Sequence, residues 1–298
     1  MSHRTQRTLL VTGASGQLGR RVVELLLAAG EDTIVAASRT PEKLADLAAR
    51  GAAVRKADFD DSASLDAAFA GVERVLLVST DALDVPGRRL AQHERAVAAA
   101  VRAGVQHVVY TSLTNPGPEW PIAMAGDHGG TEAALANSGL SYTILRNNLY
   151  TDFLLQAAAQ AVASGQLVNA AGAGAVGYVT REDCARAAAA ALASATSGPA
   201  VLDVTGPELV TQAQLAAILA QLSERPVAHV NVTPAQLHAG MAGHGVPAAL
   251  AEVLVGFDRA IAQGTLAVAS DAVERLTGRR PAGVAEFLRA HRAALVGA

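Results

Sequence analysis

The sequence predicts an α/β fold on a doubly wound parallel sheet. Three observations predict it: short apolar runs alternate with helical patterns, the runs lack polar alternation, and a glycine-rich turn joins the first run to the first helix. Thr8 to Val11 form the first strand, TGASGQLG the turn, and Val22, Val23, Leu25, Leu26 and Leu27 recur at helical spacing up to Gly30. The second strand, Ile34 to Ala37, stops at Ser38-Arg39, after which Thr40-Pro41-Glu42 supplies an N-cap and a proline at the first helical position. Ala53 to Ala57 follow, then a helix opened by Ser62 or Ser64, the strand Val75 to Val78, a helix over Leu90 to Ala103, and the strand Val108 to Tyr110. Residues 114–127, with three prolines and the single tryptophan, predict a loop. A helix from His128 to Asn137 and the strand Tyr142 to Leu145 come next. Beyond Asn147 the alternation becomes irregular, with Val201 to Val204 as a returning strand and capping-box spacing between Thr211 and Gln214.

The 298 residues carry 24 Lys+Arg against 27 Asp+Glu, a net charge of −3, and 51% hydrophobic residues. That length buries a sizeable core, and the absence of a basic block argues against nucleic acid or an anionic membrane as partner. Cys184 is the single cysteine, which excludes an internal disulfide or a Cys cluster, and the N-terminal stretch lacks the apolar core of a signal peptide. A cytoplasmic location is expected. The histidines do not recur at metal-ligand spacing, so no metal is inferred.

The chemistry begins at Gly13-Ala14-Ser15-Gly16-Gln17-Leu18-Gly19, where a strand gives way to a helix. Glycines there let the main chain approach a diphosphate, and the unpaired N–H groups of a helix start point positive charge at it. A Rossmann-like dinucleotide site follows. A site that prefers an unphosphorylated ribose presents an acid after the second strand; Arg39 stands here, with Lys43 one helical turn later. A guanidinium matches a 2′-phosphate, so NADPH (NADP) is the expected cofactor, against the competing reading of Arg39 as an ordinary solvated side chain. Asp58-Phe59, after the third strand, are candidates to flank the adenine. Residues 1–150 are therefore read as the NAD(P)-binding domain, and 151–298 as a smaller C-terminal lobe that partly returns to the sheet.

No Y-x-x-x-K occurs, the pair that lowers a catalytic phenol's pKa in many reductases of this fold. The corresponding helix carries His128 and Glu132 at i, i+4, either facing the reaction with His128 relaying a proton, or forming a surface pair. Without a strong proton donor, hydride transfer suits an acceptor that is already electrophilic, such as a quinone or a triarylmethane dye. Asn147 and Tyr150, after the sixth strand, are the candidates to orient it, with Trp120, Met124 and Phe153 as a candidate apolar wall.

Taken together, VTGASGQLG, SRTPEK, ADFDD, FAGVERVLLVS, YTSL, His128-x-x-Thr131-Glu132 and LRNNLYTDF resemble the NmrA-like atypical short-chain dehydrogenase/reductase family, nearest its NAD(P)H:quinone oxidoreductase and triphenylmethane reductase branch. The resemblance covers nearly the whole chain. It implies that Gly13, Ser15, Gly16, Gln17 and Leu18 cradle the phosphates, that Arg39 takes the 2′-phosphate, that Ser79, Thr111 and Ser112 line the nicotinamide half, that the second half, with AGAGAVGYVTREDCARAA, is a lobe covering the substrate, and that Tyr178 faces the cleft. The activity it implies is an NAD(P)H-dependent reductase acting on a small quinone or other aromatic acceptor. The same family contains non-catalytic NADP(H)-binding redox sensors, which is the alternative reading. A second copy of the chain is kept as a candidate partner.

Overall fold

A computed structural model describes residues 6–117, 120 and 123–296. In chain order the elements are β1 (Thr8–Val11), α1 (Gln17–Ala29), β2 (Thr33–Ser38), α2 (Ala45–Ala49), β3 (Ala53–Lys56), α3 (Ser62–Phe69), β4 (Arg74–Leu77), α4 (Arg88–Arg102), β5 (His107–Leu113), α5 (Ala123–Asn137) and β6 (Ser141–Asn147). Then come α6 (Leu154–Ser164), β7 (Gln166–Asn169), β8 (Ala175–Val176), α7 (Arg181–Ala193), β9 (Ala200–Val204), β10 (Val210–Thr211), α8 (Gln212–Ser223), β11 (Ala228–Asn231), α9 (Pro234–Gly243), α10 (Ala248–Ala262), α11 (Ala272–Thr277), α12 (Val284–Ala290) and α13 (Arg292–Val296).

Among the described residues one seven-stranded sheet runs in the order β3-β2-β1-β4-β5-β6-β9. β1 lies in parallel register between β2 and β4, with Leu10 opposite Val35 on one side and Val75 on the other. The chain thus winds outward to β3, returns to β4 beside β1, and winds outward again. In such a sheet the carboxyl ends of β1 and β4 flank the place where strand order reverses and ligands gather. The middle of each central strand is apolar, as a sheet covered by helices requires: Leu10, Val35, Val75, Leu77, Val108 and Tyr110 share one core with Leu65 and Phe69 of α3 and Val97 of α4.

Contacts group the chain into two compact units. The first comprises residues 1–113, 126–146 and 184–202, and the second 114–125, 147–183 and 203–298. Segment 184–202, placed by the sequence reading in the C-terminal lobe, therefore belongs with the cofactor-side unit and supplies most of α7. The second unit has its own small core, in which Ala170, Leu237 and Val255 pack with Val232 and Met241. It also holds two short ladders, β7 parallel to β11 and β8 antiparallel to β10.

Two expectations change locally. The helix expected at Thr40-Pro41 opens as a 3-10 turn over Pro41–Leu44, and Thr40 makes no side-chain cap. Ser38, two residues earlier, holds the entry to the turn: Ser38 Oγ accepts the Thr40 N–H at 3.2 Å and contacts Ser15 Oγ at 2.8 Å. In addition α5 begins at Ala123, inside the segment expected to be loop, as soon as the prolines are passed. Residues 118, 119, 121 and 122 of that segment lie outside the described residues. No described helix is long and apolar enough to cross a membrane.

Candidate active site

After β1 the chain turns through Gly13 at φ +61, a conformation open to glycine at little cost. The turn brings Gly13 against Gly19, where any Cβ would collide with the Gly13 carbonyl oxygen. Gly16 is the N-cap of α1 and has no side chain to occupy the first-turn amides, and no acidic residue sits in that turn. Gly13, Ser15, Gly16 and Gln17 are exposed while Leu18 packs inward and holds the helix to the sheet. An exposed, uncapped helix start with its glycines in close contact fits a diphosphate. Here residue type and position carry the fit.

Arg39 emerges directly from β2 with its side chain 58% exposed, its Nη2 3.3 Å from Asp81 Oδ1. Lys43 is exposed as well, its N–H donating to the Thr40 carbonyl at 3.1 Å, and the Thr40 hydroxyl joins those of Ser38 and Ser15. Asp58 accepts the Asp60 N–H at 3.0 Å, a turn-forming bond. The Phe59 ring is buried in the core, edge-on to His93.

Beyond β4 the chain continues through Val78, Ser79 and Thr80. Val78 N donates to Thr12 Oγ1 at 2.9 Å and Ser79 N to Thr111 Oγ1 at 3.0 Å, which joins the carboxyl ends of β1, β4 and β5. Ser112, next along β5, donates to Glu132 Oε1 at 2.6 Å. Glu132 in turn receives Arg146 through both oxygens, at 3.0 and 2.6 Å. A serine hydroxyl held by a carboxylate is a poor source of protons.

His128 is 5% exposed, and both ring nitrogens are engaged: Nε2 with Arg89 Nη2 at 2.9 Å, Nδ1 with Tyr110 Oη at 2.8 Å. Burial first, and the guanidinium second, hold its pKa well below the ordinary histidine value. The proton relay expected of His128 has no ring nitrogen left for it. Tyr110 is likewise held neutral, its pKa pushed up by burial.

In the second unit, Asn147 ends β6 and its Nδ2 donates to Tyr150 Oη at 3.2 Å. Asn147 is 4% exposed, yet its Oδ1 has no partner among the described residues. An orphaned amide oxygen in that setting asks for a donor from a ligand. The Tyr150 and Phe153 rings lie 5.6 Å apart, and the Arg181 guanidinium stands 5.3 Å from the first and 5.6 Å from the second. Asp152 fixes that guanidinium at 2.9 Å and caps the Arg181 N–H at 2.8 Å. Phe153 is 67% exposed and so presents an aromatic face, whereas Trp120 packs edge-on to Phe257 and is core. Tyr178 is core too, 4% exposed with Gln212 Nε2 donating to its hydroxyl at 3.1 Å.

A model of a family described as NAD(P)H-binding matches residues 13–195, from the glycine turn to the end of α7. The chain belongs to this NAD(P)H-binding family. Quinone oxidoreductase 2 of Escherichia coli is 37% identical to it over 279 residues, 93% of this chain and 96% of that protein. The crystal structure of the E. coli quinone oxidoreductase with NADPH superposes with a TM-score of 0.89 over 95% of this chain and 99% of the other. NAD(P)H azoreductase of Xenophilus azovorans is 30% identical over 96% of this chain and 98% of its own length. The triphenylmethane reductase of Citrobacter sp., crystallised with NADP(H), is 35% identical and has a TM-score of 0.87 over 95% and 99% of the two chains.

For this NAD(P)H-binding chain the sequence reading named the turn, Arg39 and the β5 hydroxyls as candidates and passed over Thr12, Arg89 and His93, which bond to the segment after β4. A signal for the last two was present. Arg89 and His93 share the phase of Ala96, Val97 and Ala100 on α4, so with Gln92 three polar residues occupy the stripe that must be buried.

Proposed function

We propose that this NAD(P)H-binding family member is an NADPH-dependent reductase that delivers a hydride to a quinone or a similarly electrophilic aromatic acceptor. Bound NADPH supplies the hydride. The main-chain amides of Ser15, Gln17 and Leu18 hold the diphosphate in the turn that Gly13 and Gly16 shape, Arg39 and Lys43 take the 2′-phosphate, and Asp58 and the Phe59 main chain the adenine end. Ser79, Thr111 and Ser112 line the nicotinamide half.

The observation that carries the acceptor class is the commitment of Ser112 to Glu132, itself clamped by Arg146. Ser112, His128 and Tyr110 are each tied to neighbours, so an ordinary ketone, whose alkoxide must be protonated as it forms, is poorly served. Hydride leaves a quinone as a delocalised phenolate and a dye cation as a neutral leuco product, and neither needs a proton as it forms. Asn147 and Tyr150 orient the acceptor, with the Asn147 amide donating into the phenol oxygen and fixing the ring. The exposed Phe153 ring suits a flat aromatic partner.

The test is a stopped-flow record of NADPH oxidation against a panel of benzoquinones, naphthoquinones, a triarylmethane dye and a simple ketone. Oxidation by the quinones or the dye and not by the ketone is expected. Tight NADPH binding with no oxidation by any acceptor would replace the reading with that of an NADP(H)-binding redox sensor. Tyr150→Phe should slow turnover about tenfold with NADPH affinity retained, the scale of one hydrogen bond made to the acceptor.

A further inference from the structure

Three consecutive main-chain N–H groups after β4 each donate to a side chain from a different part of the fold. Val78 and Ser79 are held by Thr12 and Thr111, and Thr80 N donates to His93 Nε2 at 3.0 Å. The other side of Thr80 is held as well, because Arg89 Nε donates to its carbonyl at 2.7 Å. Arg89 and His93 are one turn apart on α4 and grip one residue by both of its main-chain polar groups.

The hydrogens of this cluster have a single consistent arrangement. A main-chain N–H can only donate, so His93 Nε2 is the bare nitrogen and Nδ1 carries the hydrogen, given to Thr131 Oγ1 at 2.9 Å. Thr131 passes its own hydrogen to the Asp127 carbonyl at 2.7 Å. A guanidinium can only donate too, so His128 also carries its hydrogen on Nδ1, toward Tyr110. Arg89 is 3% exposed and His93 fully buried. Alanine or leucine at these positions would fill the stripe without the cost of desolvating a cation, so stability alone does not explain them.

We propose that His93 and Arg89 are positioning residues: by fixing both main-chain polar groups of Thr80 they hold the Ser79-Thr80 segment in the conformation that receives the nicotinamide half of the cofactor. The inference rests on the assignment of Ser79 and Thr111 to that half. Neither side chain touches cofactor or acceptor in this scheme; each acts through the segment.

The test separates the two ends of the His93 ring. A glutamine amide reaches the position of Nε2 and its oxygen accepts from Thr80 N–H, whereas an asparagine amide stops near Nδ1, keeps Thr131 and strands Thr80. His93→Gln should hold the KM for NADPH within about threefold, and His93→Asn should raise it about tenfold while the acceptor KM moves less than about twofold, the scale of one stranded buried donor. Thermal melts run in parallel. A merely structural role predicts that the NADPH KM follows the loss of melting temperature whichever end is kept, and equal NADPH KM values for the two variants overturn the proposal. Calorimetry on the unaltered chain comes first, because no NADPH binding there overturns both this inference and the reading beneath it. Should a variant fail to fold, amide exchange on the unaltered chain decides: protection of residues 78–80 before any cofactor is added supports the proposal, and exchange as fast as that of the exposed Asp84 and Val85 overturns it.

Discussion

Arg39 follows directly on β2, where an acid would instead pair with an unphosphorylated ribose. Its contact with Asp81 joins two exposed side chains, a pair of little worth that a phosphate displaces easily. Arg39→Ala should therefore weaken NADPH by roughly 10- to 100-fold, the value of one charge-assisted bond, and leave NADH within about twofold. Calorimetric titration with each nucleotide measures both, and equal weakening would remove Arg39 from the 2′-phosphate. This residue was legible in the sequence because a strand end followed by Ser-Arg, with no acid near, has few structural uses. His93 and Arg89 were not legible in the same way. On α4 they sit among Arg88, Glu94 and Arg95, and a charged helix reads as solvated unless each residue's phase is checked against the alanines that follow.

The same contrast between local and distant causes holds for whole elements. The capping box at Thr211 and Gln214 formed as expected, and Thr233 with Gln236 makes a second that the sequence carried unread. Both depend on residues three apart, which a sequence displays. The carboxyl end of α7 depends on residues more than a hundred positions away. Arg74, 6% exposed on β4, donates from Nε to the Leu192 carbonyl at 2.8 Å and from its other nitrogens to Ala191 and Thr196 at 3.2 Å. Arg7, paired with Asp32, donates to Ala193 and Ser194 beside it. Two guanidinium groups thus satisfy the last carbonyls of the helix and oppose its negative pole. The burial that makes this effective, with repulsion from Arg7, pulls the Arg74 pKa down to about 10, so the side chain remains charged at neutral pH. Arg74→Met should cost about 3 kcal/mol and lower Tm by roughly 5–10 °C, because carbonyls are stranded. NADPH affinity should not change, and a melt that matches the unaltered chain would show that water replaces the arginine.

At the scale of the whole molecule the buried histidines set the acid limit. His107 is 1% exposed between Ser141 Oγ at 2.7 Å and Thr143 Oγ1 at 2.9 Å, and burial, with Arg74 nearby, lowers its pKa to about 4. His93, buried beside Arg89, is lowered to about 3, and His128 is lowered as well. The unfolded chain returns each imidazole to a pKa of about 6.5. Below that pH the unfolded state binds protons that the folded state refuses, so the stability these groups contribute is complete above about pH 6.5 and drains away as pH falls toward their folded values. Each removes at most about 1.4 kcal/mol per pH unit. Asp127 and Asp258 act in the opposite sense, since burial raises their carboxyls and acid relieves them, while Asp60, lowered mainly by its bond to Arg88, adds to the loss below pH 4. Between about pH 6 and 4.5 three imidazoles outweigh two partly buried carboxyls, and stability must fall with acid. Urea midpoints at pH 7.5, 6.0 and 5.0 should decline steadily. His107→Gln keeps an amide near Nε2 for Thr143 and has nothing to titrate, so its decline should be shallower by the share of one group. A profile flat to pH 4.5, or an unchanged slope in the variant, would mean that the folded chain protonates these rings after all, and that the polar lattice joining β5, α4 and α5 is looser than its hydrogen bonds require.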